Sequence, residues 1–182
     1  MTEVIIFLGP PGAGKGTQAE KVSNKYDLAH ISTGVMLRHH VKNETELGLK
    51  ARNLLDNGLL VPDDLVTEML LERLNENDAA SVVLLDGYPR TLTQAESLER
   101  PENNLLIKKV IFFDIDQDEL ITRMLERGRS DDTEDSIQVR LEAYKEDTEP
   151  LLHYYEKKGL VKRVNGSGSV DSIFKSIENV LT

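Results

Sequence analysis

The sequence predicts an α/β fold, a P-loop core with a five-stranded parallel sheet flanked by helices, and three observations carry that expectation. Five short apolar runs, at 4–8, 28–31, 82–85, 110–113 and 160–164, alternate with segments of helical periodicity. Such runs read as strands buried on both faces, as parallel sheets require when right-handed crossover helices cover both sides. The first run leads straight into a glycine-rich turn, Gly9-Pro10-Pro11-Gly12-Ala13-Gly14-Lys15-Gly16-Thr17. The length, 182 residues with 39% hydrophobic, suits one compact domain with a small insert and leaves no room for a second full domain.

Composition narrows the function classes. A net charge of −10 argues against general nucleic-acid binding, which rests on clustered cations. An acidic protein that binds phosphates must concentrate its positive charge in one place, so the arginines are read by position. The absence of cysteine excludes disulfides and thiolate zinc sites. No apolar run approaches the ~20 residues of a membrane span, and the start lacks an export-type hydrophobic region. A soluble, cytoplasmic protein with no membrane partner is expected.

The first run, Val4-Ile5-Ile6-Phe7-Leu8, reads as a buried strand, and the glycines after it let backbone N–H groups turn inward. With the N-terminus of a helix starting near Lys15, those donors form an anion cradle. Lys15 reaches the β- and γ-phosphates, and the Thr17 hydroxyl is placed to ligate Mg²⁺. Gly16 stands where the generic loop has Ser or Thr. A bare strand-to-helix turn is the competing reading.

After the second run, Ser32-Thr33-Gly34 opens a helix carrying Met36, Leu37 and Arg38; Ser32 or Thr33 also reads as a plain helix cap. A second amphipathic helix (Leu47, Leu49, Ala51, Leu54, Leu55) stops at Asn57-Gly58. Two helices without an intervening strand suggest a mobile inserted subdomain, with 57–64 as hinge and pocket wall.

The third run ends in Asp86-Gly87-Tyr88-Pro89-Arg90-Thr91. A carboxylate at the carboxyl end of a strand suits Mg²⁺ held through its water shell, and Arg90 beside it suits a phosphate; alternatively Asp86 simply starts a turn. Gln94, one turn into the next helix, offers a paired donor and acceptor to a purine edge, or lies on a solvated face. The fourth run leads to a helix in which Arg123 and Arg127 share a face, with Arg129 just beyond and Arg140 on a later helix. Phosphoryl transfer needs such charge around the equatorial oxygens, although Glu119, Glu126 and Glu142 are alternative partners for these arginines. A helical pattern then runs from Ser136 to Lys157, broken near Pro150.

Four ordered motifs, GPPGAGKGTQ (9–18), HISTGVMLR (30–38), DGYPRT (86–91) with Gln94, and Gly128–Asp132 with Arg140, carry a resemblance that covers nearly the whole chain. Together they closely resemble the adenylate kinase family, in its short-lid form. The resemblance implies a core (1–31, 62–126 and 134–182), an AMP-binding subdomain at 32–61 and a lid reduced to 127–133, with no zinc. It implies ATP binding by Gly12, Ala13, Gly14, Lys15, Gly16, Thr17, Arg123, Arg127 and Gly168. It implies AMP binding by Thr33, Arg38, Leu59, Leu60, Val61, Gly87, Tyr88, Pro89, Arg90, Gln94, Arg129 and Arg140. The catalytic set would be Lys15, Arg90, Arg123, Arg127, Arg129 and Arg140, with Thr17 and Asp86 near Mg²⁺, Asp86 through water.

The implied reaction is MgATP + AMP ⇌ MgADP + ADP, by direct attack within one chain, so a monomer is expected. Thr33 and Gln94 favour adenine over the acceptors of a UMP/CMP-type kinase. One departure stands out: Val35 replaces an Asp that in the family binds waters around Mg²⁺. Valine has no acceptor, so the chain is expected to be slower or less responsive to Mg²⁺, with a nucleotide-binding protein of little catalysis as the extreme.

Overall fold

The computed structural model describes residues 1–76, 81–129 and 132–181. Its centre is a parallel sheet of five strands: β1 (Thr2–Leu8), β2 (Ala29–Ser32), β3 (Val82–Asp86), β4 (Leu105–Asp114) and β5 (Val161–Asn165). The order across the sheet is β2-β3-β1-β4-β5. The expected α/β class holds. All five predicted runs are strands, but β4 begins five residues before its apolar run at 110–113. Its first half alternates between half-buried and exposed positions, so the continuous apolar signal covers only the end buried on both faces.

Nine α-helices among the described residues connect and flank the strands: α1 (Lys15–Tyr26), α2 (Thr33–Lys42), α3 (Glu46–Asp56), α4 (Asp63–Leu74), α5 (Leu92–Leu98), α6 (Gln117–Arg127), α7 (Glu134–Ala143), α8 (Pro150–Lys157) and α9 (Val170–Leu181). The two faces of the sheet bury separate cores. One joins Val4, Ile6, Val83 and Leu85 to Leu70, Leu98 and Tyr155; the other joins Phe7, Leu84 and Phe113 to Val22, Met124 and Ile177. Strand side chains alternate between faces, so each strand feeds both cores.

Among the described residues, three helices lie between β2 and β3. α2 and α3 cross closely because residue 48 is glycine: a Cβ there would lie 2.0 Å from the His40 carbonyl oxygen. The expected break near Pro150 takes the form of a five-residue π turn, Tyr144–Thr148, between α7 and α8. Proline has no N–H to continue an i→i−4 ladder, and the turn before it widens, with Glu149 N–H bonded to the Tyr144 carbonyl at 2.8 Å.

Candidate active site

The carboxyl ends of β1, β2 and β3 open on a cleft of about 890 Å³. The turn after β1 forms its floor. Gly12 has φ of 85°, and a Cβ there would stand 2.9 Å from the Leu120 carbonyl oxygen, so the turn needs glycine for both its conformation and its close approach to α6. α1 starts at Lys15 with no acidic residue in its first turn, leaving its N–H groups and dipole open to an anion. The Lys15 ammonium donates to the carbonyls of Gly9 and Pro10, each at 2.8 Å. Burial lowers its pKa to about 8; Asp86 opposes that shift, while Arg90 and Arg127 reinforce it.

Register sets Asp86 against this turn, opposite Phe7 of β1 and Ser32 of β2. Its carboxylate accepts from Ser32 Oγ at 3.3 Å and lies 3.9 Å from His30 Nε2. Burial works against ionisation, yet His30 and the charges of Lys15 and Arg90 hold its pKa below the usual carboxylate value. Among the described residues no cluster of three or more His, Cys, Asp or Glu side chains is built to hold a metal. The donor set instead suits a hard, hydrated divalent ion such as Mg²⁺, which is bound through one or two carboxylates plus substrate phosphates. Thr17 lines the same cleft.

Seven basic side chains line it: Lys15, Arg38, Arg90, Arg123, Arg127, Arg129 and Arg140. The short connection after α6 brings the last three together around one carboxylate. Asp132, whose side chain has no exposed surface, accepts from Arg127 Nε (2.9 Å) and Nη2 (2.7 Å), from Arg140 Nη1 (2.9 Å) and from the Arg129 backbone N–H (3.1 Å). Arg123 pairs with Glu119, which also accepts from Ser167 Oγ at 2.7 Å. Of the glutamates considered as partners, Glu119 takes that role; Arg127 and Arg140 turn to Asp132 instead. Within the predicted lid at 127–133, Ser130 and Asp131 lie outside the described residues.

On the other wall, Arg90 Nε and Thr33 Oγ1 both donate to the Gly87 carbonyl, at 2.9 and 2.8 Å. Ser32 stands at the N-cap position of α2, as one reading had it, but its side chain makes no capping bond: it donates to Asp86, and Thr33, the first residue of the helix, donates to Gly87. Gly58, Leu60, Gly87, Pro89 and Gly168 line the cleft, while Leu59 stands half-exposed outside it. Ala13, Thr33, Val61, Tyr88 and Gln94 are buried and expose no surface to the cleft as it stands. A solvated Gln94 is therefore overturned. The Tyr88 hydroxyl bonds Thr67 at 2.8 Å, and burial pushes its pKa up to about 12. Val35 lies in the lining and is exposed, with only hydrocarbon to offer.

Three participants escaped the sequence reading. His30 was legible: in β2 it shares a face with Ser32 at a spacing of two, the face turned to Asp86. Asp132 and Asp63 were not, because their partners are assembled by the fold.

The family model described as adenylate kinase matches residues 7–160. The chain belongs to the adenylate kinase family. An adenylate kinase of Thermus thermophilus is 44% identical, with 98% of this chain and 97% of that protein covered. One from Nocardia farcinica is 47% identical over 93% of each chain, and one from Methanothrix thermoacetophila 40% identical over 98% of each. Membership in the adenylate kinase family makes this chain an enzyme, a phosphotransferase, and its parallel sheet agrees with that. No helix among the described residues is long and apolar enough to cross a membrane.

Proposed function

We propose that this chain transfers the γ-phosphoryl group of MgATP reversibly to AMP, giving MgADP and ADP, as a monomeric cytoplasmic enzyme. One observation carries the reading: a single cleft has an anion-binding turn as its floor, Arg38 and Arg90 on one wall, and four more arginines around it. That is a donor site, an acceptor site and a charge clamp between them.

ATP phosphates rest on the N–H groups of 12–17 and on Lys15, with Arg123, Arg127 and Gly168 on the donor side. AMP is held by Arg38, Arg90, Leu60 and Gly87, with Gln94 reading its base. An AMP phosphate oxygen attacks the γ-phosphorus in line as the bond to the β-phosphate bridging oxygen breaks, and the departing ADP keeps that electron pair. No protein nucleophile takes part. The residues supply alignment, charge and exclusion of water, with Arg129 and Arg140 at the transferring group. Mg²⁺ bound with ATP, beside Thr17 and Asp86, would neutralise phosphate charge. The insert at 32–61 and the loop at 127–133 are the parts that close over the substrates. A coupled assay for ADP with AMP, UMP and CMP as acceptors tests this. Turnover confined to AMP is expected, and none with any acceptor would overturn it.

A further inference from the structure

Gln94 has a holder of its own. The side chain is buried, and both ends of its amide are engaged: Oε1 accepts from the Arg90 backbone N–H at 2.6 Å, and Nε2 donates to Asp63 Oδ1 at 2.8 Å. A backbone N–H can only donate and an ionised carboxylate can only accept, so these partners admit one orientation of the amide. Turned over, the amide would set N–H against N–H and oxygen against oxygen. Asp63 is itself fixed, since its Oδ2 accepts from Thr91 Oγ1 at 2.8 Å, and that hydroxyl accepts from the Gln94 backbone N–H at 3.1 Å. Asp63 comes from another element, the first residue of α4.

We propose that Asp63 is a specificity-determining positioning residue, holding the Gln94 amide in the orientation that fits adenine and refuses a 6-oxo purine. This rests on the reading of Gln94 as the contact to the acceptor base. With one N–H and one carbonyl lone pair committed to Asp63 and Arg90, the amide keeps one of each for a ligand. Adenine presents a donor at N6 beside an acceptor at N1, which complements that pair. Hypoxanthine presents the reverse, an acceptor at O6 beside an N–H at N1. To meet it the amide must turn over, breaking both buried bonds at once.

The test compares AMP as substrate with IMP as a competitive inhibitor against it, in the wild type, Asp63→Asn, Asp63→Ser and Gln94→Leu. The Asp63→Asn change is nearly isosteric, and the amide it introduces can rotate to donate to a reversed Gln94. The ratio of the IMP Ki to the AMP KM is expected to fall about tenfold in Asp63→Asn, through a higher AMP KM and a lower IMP Ki, with the larger loss outside kcat. Asp63→Ser, which removes the carboxylate without adding bulk, should move the ratio the same way. If Asp63 serves only as an acidic residue at the start of α4, both variants lower Tm and leave the ratio alone, which overturns the proposal. Gln94→Leu separates the two claims. A ratio that collapses in Gln94→Leu but holds in both Asp63 variants overturns the role of Asp63 alone. An AMP KM unmoved in Gln94→Leu overturns the reading of Gln94 on which it rests.

Discussion

The turn after β1 and the arginine group around Asp132 line one cleft, and they present positive charge by opposite means. The turn does it with main chain: glycine conformations and the start of α1 aim N–H dipoles inward, and one lysine adds a full charge. The arginine group does it with long side chains from α6 and α7 that meet around a buried carboxylate. The first arrangement is fixed by bonds within a dozen residues. The second depends on two helices and their connection arriving together, so it should be the less robust of the two to mutation.

The largest expected effect tests the turn. Lys15→Met should lower kcat by about 10³-fold, the scale for losing one preorganised charge at a transferring group, with no loss of stability and, below about pH 8, a gain from removing a charge that burial disfavours. Steady-state ADP formation and a denaturant titration check both halves. A large stability loss would mean that the two regions do not differ as argued.

Next comes Asp132→Ala, which leaves Arg127 and Arg140 without their shared carboxylate. Unfolding in denaturant should show a loss of about 2–3 kcal/mol. Asp132 also carries a pH signature. Burial disfavours its ionised form, but the hydrogen bonds from Arg127 and from the Arg129 N–H, with the charges of Arg127 and Arg140, hold its pKa below the ordinary value. A carboxyl depressed in this way contributes stability above its unfolded pKa, and that contribution disappears as pH falls through the folded one. Asp132→Asn should flatten the acid limb of the stability profile.

Smaller again is the effect of Val35→Asp. Restoring an acceptor in the cleft that Asp86 lines should raise Mg²⁺-dependent turnover by about tenfold, the low end for an outer-shell metal partner. Unchanged turnover across a Mg²⁺ titration would show that another group does this work. The smallest signal is a fraction of a proton. With its pKa lowered to about 8, Lys15 is partly neutral at that pH, and bound phosphate favours the charged form. ATP binding near pH 8 should therefore take up protons, measurable by calorimetry in buffers of different ionisation enthalpy. The same lysine destabilises the fold below about pH 8, and that penalty is relieved as pH rises toward its unfolded pKa.

The contrast between local and assembled chemistry also explains what could be read in the chain beforehand. The five strands were legible because a parallel sheet forces continuous apolar runs, and the phosphate turn because its glycines answer to geometry a few residues wide. Arg123 and Arg127 were legible by their spacing on one helix. Asp132 was not: its neighbours in sequence look like a polar surface loop, and only the return of α7 buries it. Gln94 was legible as a residue but not in its setting, since its partner Asp63 stands 31 residues away. Period and propensity carry no information across such a distance.

The wide turn at Tyr144–Thr148 also acts as a phase shifter. A π turn adds one residue to an otherwise continuous helix, which rotates everything after it by about 100° relative to what came before. α7 therefore points Arg140 at the cleft, while α8 points Leu151 and Tyr155 into the core on the other face of the sheet. At the seam, Thr148 swings inward and its hydroxyl bonds the Arg90 carbonyl at 2.8 Å. Deleting a single residue there would turn α8 back by about 100° relative to α7 and put either the phosphate site or the core out of step.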